Sequence, residues 1–376
     1  MSDYTIIRAG TEHREQICAL QTELWSPDTD FNDRYLRWRY EENCFPEDSH
    51  IYLAMHQGKV VGMRGFHGAR WITGDDPQVH RCLMAGDAMI CAEHRDRSLV
   101  TAILQQATAD LAKRGYEYLF SFGASRINVL GLLINGWKTA GAMEPIGRET
   151  DSRGLMPRLR RQSGRTPILW RYAHSKALHT RDERHPFRHL DRHLDHDAAG
   201  MTVTRQLRAQ DMAAIATLCQ DPGRIRHQRD SDYLQWRYTN PLREYRFLFA
   251  HDNEGNRGYL SLGRQTSKLS IFSRVQLLDL EASSSALRNQ LLRTAAEWGR
   301  FQEFVAWGTT LHPKDSELLA ELGFGEIHEY ERVRGCPCLL VKRTYDDMGP
   351  ADWRLGDRPL LDPSSWDLRM LYSFRG

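Results

Sequence analysis

Residues Tyr35–Tyr40 read YLRWRY, and Tyr233–Tyr238 read YLQWRY, 198 positions further on. Such a match constrains the fold only if its neighbours recur at the same spacing. They do: Ile17 and Leu20 recur as Ile215 and Leu218, in REQICALQTELW and DMAAIATLCQ, each with the apolar period of an amphipathic helix. A strand-like opening precedes each helix, YTIIRA in one place and MTVTRQL in the other. Further along, ADLAKRGYEYLF corresponds to RTAAEWGRFQEFVAW: a helix, a polar break, then an apolar strand. LLINGWKTAG corresponds to LLAELGFGEI, with Gly136-Trp137 against Gly323-Phe324 at an offset of 187. The offset shrinks because a loop of the second copy is shorter. A period this long is no solenoid repeat; it means one domain written twice. A chain of 376 residues agrees, being long for one core and right for two domains of roughly 150 to 200 residues.

In copy one, periodicity and turn chemistry predict a strand over Thr5–Arg8 and helices over Glu15–Trp25 and Asp33–Tyr40. Strands Ile51–His56 and Lys59–Phe66 follow, joined by a hairpin turn at Gln57-Gly58. Next come a strand over Leu83–Ala92, a helix over Leu99–Arg114 stopped by Gly115, a strand over Tyr118–Gly123, a helix over Val129–Asn135 and a last strand after Gly136. The class is α/β with a mixed sheet, in the order β-αα-β-β-β-α-β-α-β. The linear division is a first domain over 1–150, a linker over 151–199, a second domain over 200–334 and a C-terminal extension over 335–376. The extension carries the strand-like run CLLVKR and is expected to pack against one of the domains, with extension of a sheet left open.

A net charge of +2 argues against a nucleic-acid or membrane-surface binder, so no DNA partner is expected. No apolar run reaches the ~18 residues of a membrane span. The polar start MSDYTIIRAGTEHREQ lacks the apolar core of a signal peptide. Seven unpatterned cysteines read as reduced thiols. Together these point to the cytoplasm.

Copy one, in AGDAMICAEHRDRSLVTAILQQATADLAKRG and GLLINGWKTAG, resembles the GNAT N-acyltransferase superfamily, so the chain resembles two GNAT-like domains in tandem. The resemblance covers about residues 4–148 and 200–334. The repeated Trp-Arg-Tyr word, Asn240-Pro241 and DWRLGDRPL at Asp352–Leu360 resemble bacterial tandem members associated with envelope or exopolysaccharide loci. In the superfamily a splayed strand leads through a loop, Arg/Gln-x-x-Gly-x-Gly/Ala, into a helix whose N-terminal amides hold the pyrophosphate of acyl-CoA. Unpaired amides and the positive helix end favour phosphate in general. The resemblance implies that acetyl-CoA or another acyl-CoA is held by Ile90, Cys91, Arg95, Asp96, Arg97, Ser98, Leu99 and Val100, with Asn128 meeting the CoA arm or, equally well, capping the helix at Val129. Ser98 and Val100 replace the loop's glycines. In copy two no arginine or glycine stands there, and Ser283–Ser285 read as a helix cap. Copy two is thus expected to be degenerate.

Transfer to an amine needs a base, a donor to the thioester oxygen, a proton for the leaving thiolate and close positioning. Asp87, set among apolar residues, and Glu93 at the strand end are the candidate bases, with a structural aspartate held by amides as the bland alternative for Asp87. The family's usual acid is a tyrosine, and Leu132 and Leu319 occupy its positions. In YLRWRY and YLQWRY the bland reading is aromatics packed in a core; the functional one is an aromatic platform with Arg39 or Arg237 meeting an anion. The linker holds ten arginines, one lysine and six histidines against six acids. His185, His189, His193 and His196 fall at helical spacing, but interleaved Arg188 and Arg192 argue against a metal site, and a solvated basic connector is the simpler account. The expected activity is acyl transfer to a small-molecule amine or amino sugar, with an acyl carrier protein as an alternative donor. A non-catalytic scaffold, or a transferase using aminoacyl-tRNA, are the competing readings.

Overall fold

The computed structural model describes residues 4–95, 97–122, 126–143, 145–149, 185–198, 200–255, 257–265, 274–301, 303–307, 313–326, 338–345 and 353–373. In chain order the first copy comprises β1 (Tyr4–Arg8), α1 (Arg14–Leu20), α2 (Thr29–Tyr40), β2 (His50–His56), β3 (Lys59–Thr73), β4 (Gln78–Ile90), α3 (Arg97–Lys113), β5 (Tyr118–Phe122), α4 (Arg126–Ile134) and β6 (Lys138–Ala142). This is the predicted order. Then follow β7 (Pro145–Glu149), β8 (Asp197–Ala198), β9 (Met201–Thr204), α5 (Ala209–Cys219), β10 (Ile225–His227), α6 (Ser231–Arg237), β11 (Arg243–His251), β12 (Arg257–Gln265), β13 (Arg274–Ala282), α7 (Ser285–Gly299), β14 (Glu303–Trp307), α8 (Pro313–Glu321), β15 (Gly325–Glu326) and β16 (Cys338–Arg343).

Local chemistry explains where the boundaries differ. Helix α1 stops at Leu20 and tightens into a 3-10 turn over Gln21–Glu23 instead of reaching Trp25. There the Thr22 hydroxyl donates back to the Ala19 carbonyl at 2.7 Å, a bond that competes with the helical ladder. Helix α2 starts at Thr29 rather than Asp33, because the Asp28 carboxylate accepts from the amides of Asp30 and Phe31. The β2–β3 turn has φ of 48° at Gln57 and 77° at Gly58, the pair of positive values that a two-residue hairpin turn requires. The histidine run is no helix but a turn and a 3-10 segment at Leu190–His193. His185 lies 3.3 Å from Glu244, and His193 stacks on Trp298 with ring centroids 4.3 Å apart.

The chain forms two compact units that exchange segments relative to the linear division at 150 and 200. The first holds 1–142, 221–242 and 337–367; the second holds 143–220, 243–336 and 368–376. The first unit's sheet runs β1-β2-β3-β4-β5-β16-β6, with β10 on β3 and on Trp366–Asp367. The second unit's sheet runs β15-β7-β14-β13-β12-β11-β9-β8. The run CLLVKR, read as an extension, thus lies inside a sheet, antiparallel to both β5 and β6. Strand β7, directly after β6 in the chain, takes the corresponding place between β14 and β15. Its core explains why β16 belongs there: Leu339, Leu340 and Val341 are all fully buried, as a strand paired on both sides and covered on both faces must be.

In the first unit, one core joins Leu83, Ala85, Leu119 and Leu340 of the sheet to Leu99, Ile103 and Leu111 of α3 and Leu132 of α4. A second joins Leu53, Val60 and Met63 to Ile17 and Leu20 of α1 and to Leu36 and Tyr40 of α2. The second unit's core joins Leu260, Leu262 and Val275 to Leu291, Leu292 and Ala295 of α7 and Leu319 of α8.

Both copies of the repeated word lie in the first unit, on α2 and α6. Trp38 stacks on Trp236 with ring centroids 5.2 Å apart and planes at 20°. The Trp38 indole donates to the Trp236 carbonyl at 2.8 Å, and the Trp236 indole donates to the Trp38 carbonyl at 2.6 Å. Each residue does to its copy what the copy does to it, which is the signature of a two-fold contact.

Candidate functional site

Among the described residues, strand β4 pairs with β5 at Leu83–Leu119 and Met84–Phe120 and nowhere else. Beyond that β4 continues to Ile90 with no further β5 partner among the described residues. A bulge marks the divergence. Between the β3–β4 pairs Gly65–Gly86 and Met63–Met89, Asp87 and Ala88 stand against Arg64 alone. Asp87 has a φ of 43°, the left-handed region that aspartate tolerates better than most residues.

Asp87 is enclosed. Its carboxylate is fully buried and lies 3.1 Å from the Arg39 guanidinium, itself buried. Tyr40 Oη donates to it at 2.7 Å, and Tyr35 Oη reaches it at 3.5 Å and also bonds Arg39. Three side chains within two turns of the YLRWRY helix therefore clamp one carboxylate. Space for the clamp comes from two glycines facing each other across β3 and β4. A Cβ on Gly65 would stand 1.8 Å from Tyr40 Oη, and one on Gly86 would stand 1.8 Å from Arg39 Nη2. Burial is the largest influence on Tyr35 and Tyr40 and raises both phenol pKa values, so both stay protonated donors. A general base must touch the proton it removes. A carboxylate filled by an arginine and two tyrosines suits holding α2 to the bulge better than taking protons.

The remaining predicted residues surround the end of β4. Ile90 and Cys91 are half-buried there, and the Cys91 amide donates to the Val61 carbonyl at 2.8 Å. Burial raises the Cys91 thiol, which keeps it a poor nucleophile. Glu93 is exposed on a 3-10 turn, Ala92–His94. His94 Nδ1 bonds Tyr4 Oη at 2.8 Å. The exposed Arg95 reaches back to the Ile90 carbonyl at 3.4 Å and to Glu23 at 3.3 Å, linking the loop to the α1–α2 connection. Asp96 lies outside the described residues, as does the Arg97 side chain, although Arg97 opens α3. Ser98 and Val100 are exposed on the first turn of α3, while Leu99 anchors that turn in the core. Asn128 is exposed on α4. Leu132 and Leu319 are core residues of the first and second unit. At the end of β4 the Ile90 carbonyl accepts from Arg95, and among the described residues no cluster has the makings of a metal site.

The second unit has the same geometry with different contents. Among the described residues, β13 pairs with β14 only from Arg274 to Gln276, then continues to Ala282 past a bulge at Leu278. There the Leu280 carbonyl accepts from Arg369 at 2.7 Å and from Arg288 at 3.0 Å. Arg369 also holds Glu281 at 2.8 Å, Arg288 forks onto Asp315 at 2.5 Å, and Tyr259 Oη donates to Asp279 at 2.7 Å. The following helix, α7, is closed by its own cap: Ser284 Oγ accepts from the Leu287 amide at 3.2 Å.

A sheet that splits beside a bulge, with a helix starting where the free strand ends, occurs twice here and has known counterparts. Among solved structures the chain is similar to a conserved protein of unknown function from Enterococcus faecalis V583, described as a probable N-acyltransferase. The TM-score is 0.57 at 10% identity, covering 91% of this chain and 73% of that one. It is also similar to a tandem GNAT protein from the clavulanic acid biosynthesis pathway, at a TM-score of 0.52 and 12% identity, covering 93% of this chain and 100% of that one. The chain has the GNAT fold, in tandem. A GCN5-related N-acetyltransferase from Anabaena variabilis ATCC 29413 matches at a TM-score of 0.50 and 10% identity, over 91% of this chain and 73% of that one. No protein-family model matches the chain, and no curated protein matches it in sequence. The likeness to other GNAT folds is therefore one of backbone, and this chain's side chains have to be read on their own.

Four residues of this region were not singled out from the sequence in their observed roles: Tyr35, Tyr40, Glu23 and Arg64. The signal for the first two was present. A lone aspartate in an apolar strand needs a buried cation, and YLRWRY supplies one beside two phenols.

Proposed function

We propose that the chain is an N-acyltransferase in which the first unit binds acyl-CoA along the free edge of β4 and passes the acyl group to the amine of a small molecule or amino sugar. The observation that carries this reading is the unpaired stretch of β4 past Met84, leading through the Arg95 loop into α3. The pantetheine arm of CoA is an extended chain with two amides. An exposed strand edge recognises such a chain by main-chain hydrogen bonds, as it would another strand. Arg95 and the first turn of α3 then face the pyrophosphate, for which helix-end amides and a cation are suited. Ser98 and Val100 allow less backbone approach than glycine, but their exposure leaves the first turn open. Arg95 would exchange Glu23 for phosphate.

The reaction forms a C–N bond and breaks a C–S bond by direct attack of a neutral amine on the thioester carbonyl. Glu93, exposed beside the end of β4, is the proposed acceptor of the ammonium proton, directly or through water. With Leu132 buried in the core, the thiolate takes its proton from solvent. Asp87 holds the bulge in place through Arg39 rather than acting as base. Titration calorimetry with acetyl-CoA and a longer acyl-CoA tests the reading: wild type should bind at micromolar Kd and Arg95→Glu should not. Absence of binding by wild type would sink it.

A scaffold without catalysis is the second reading, favoured by the core leucine at the usual acid position and by the enclosure of Asp87. Turnover with any amine would exclude it.

A further inference from the structure

The bulge in β4 faces a buried cation that the fold leaves unmatched. Arg64, opposite Asp87 and Ala88, is 8% exposed, and its Nε and Nη2 atoms are sealed from solvent without a hydrogen-bond partner among the described residues. No carboxylate lies within ion-pair distance of it among those residues. The nearby carboxylate, Asp87, is already taken by Arg39, Tyr35 and Tyr40. Two buried guanidinium groups thus share the field of one carboxylate. Burial, the leading influence, pushes the Arg64 pKa down to about 10. An arginine's fork is shaped for a carboxylate, and leaving its donors empty costs desolvation that the shared field of Asp87 and the Phe66 ring, whose centroid is 5.9 Å from the guanidinium carbon, offset only in part. Another donor stands in the same neighbourhood. Trp25, 4.9 Å from the Tyr35 ring between centroids, has an indole N–H that is buried and unpartnered among the described residues.

We propose that Arg64 is a specificity residue that receives a carboxylate of a reacting substrate beside the β4 bulge. The carboxylate belongs either to a dicarboxylic acyl group or to an amino-acid-like acceptor. The inference deepens the acyltransferase reading and rests on it for the identity of the substrate, though not for the anion site itself.

Three measurements on the full chain separate the cases, each made on wild type, Arg64→Met and Arg64→Lys. The first is titration with succinyl-CoA against acetyl-CoA. The second, with acetyl-CoA saturating, is titration with β-alanine against propylamine. In one of these arms wild type should prefer the carboxylated partner by about tenfold or more, the range of a charge-assisted bond. Arg64→Met should lose that preference, and Arg64→Lys should keep part of it. A preference in the first arm assigns the acyl group, and one in the second assigns the acceptor. The third measurement is thermal unfolding without ligand and with sodium succinate or β-alanine alone, which needs no CoA. Arg64→Met should melt higher than wild type without ligand, because an unpaired buried charge is gone, and carboxylate should raise the melting temperature of wild type only. A structural arginine predicts the opposite, a lower melting temperature for Arg64→Met. That result, or equal preference in wild type and Arg64→Met, overturns the proposal. Should no CoA ester bind while carboxylate still stabilises wild type alone, the acyltransferase reading fails and the anion site stands.

Discussion

Strand β4 leaves β5 after Met84, and β13 leaves β14 after Gln276, yet the two free edges end in different company. On β13 the Leu280 carbonyl is taken by Arg369 and Arg288, and Glu281 and Asp315 neutralise those arginines. On β4 the clamp meets the Asp87 side chain through Arg39 and Tyr40, and Arg95 reaches the Ile90 carbonyl at the strand's end. One split is filled by the protein's own side chains; the other is braced at Asp87 and, in the acyltransferase reading proposed above, takes its ligand along the edge. The same backbone can thus be a binding edge or a closed core, and a few arginines decide which.

Breaking each clamp should expose this difference. The largest effect is expected from Asp87→Ala. It leaves the buried Arg39 uncompensated, and removing one partner of a buried pair costs about 3–5 kcal/mol. Asp279→Ala should cost less, about 1–3 kcal/mol: it loses the Tyr259 and Leu280 amide bonds and a long Arg369 contact, but Arg369 keeps Glu281 as its carboxylate. Urea unfolding of both variants checks the ranking, and equal losses would contradict it. Next is Gly86→Ala, which forces a methyl group onto the Arg39 guanidinium and should cost about 1–3 kcal/mol by overpacking. Chemical denaturation should also show Gly263→Ala to be milder, since its nearest neighbour is a Leu278 methyl group 2.6 Å away, the end of a flexible side chain.

The reciprocal tryptophans allow a finer comparison. Trp38→Phe and Trp236→Phe each remove one indole donor and leave one carbonyl without it, so each should lose about 1 kcal/mol. Closely matching losses would support a two-fold contact, and a difference above about 1 kcal/mol would argue against it. The smallest effect is expected from Ser284→Ala, the loss of one helix cap, at about 1 kcal/mol or below by thermal melting.

Much of the backbone was legible in the sequence because it follows from periodicity. The order of the first ten elements, the Gln57-Gly58 hairpin and the Gly115 stop come from local rules that act over a few residues. The place of CLLVKR was not legible: a buried run of Leu339, Leu340 and Val341 states that a strand is covered, not which strands flank it. The candidate site was legible in outline, as a strand end, a loop and a helix start. What it lacked was pairing. Asp87 was read as a base or as a structural aspartate, while its partners lay about fifty residues away in a word read as core packing or as an arginine meeting an anion. Both halves of that reading were chemically sound. Only tertiary structure could show that the arginine of one meets the carboxylate of the other.

The most direct test of an open edge on β4 and a closed one on β13 is amide hydrogen exchange with and without saturating acetyl-CoA. Slowed exchange confined to Gly86–Cys91 and the first turn of α3, with none at Leu277–Ser283, is the result expected. Protection along β13, or along neither strand, would contradict the account.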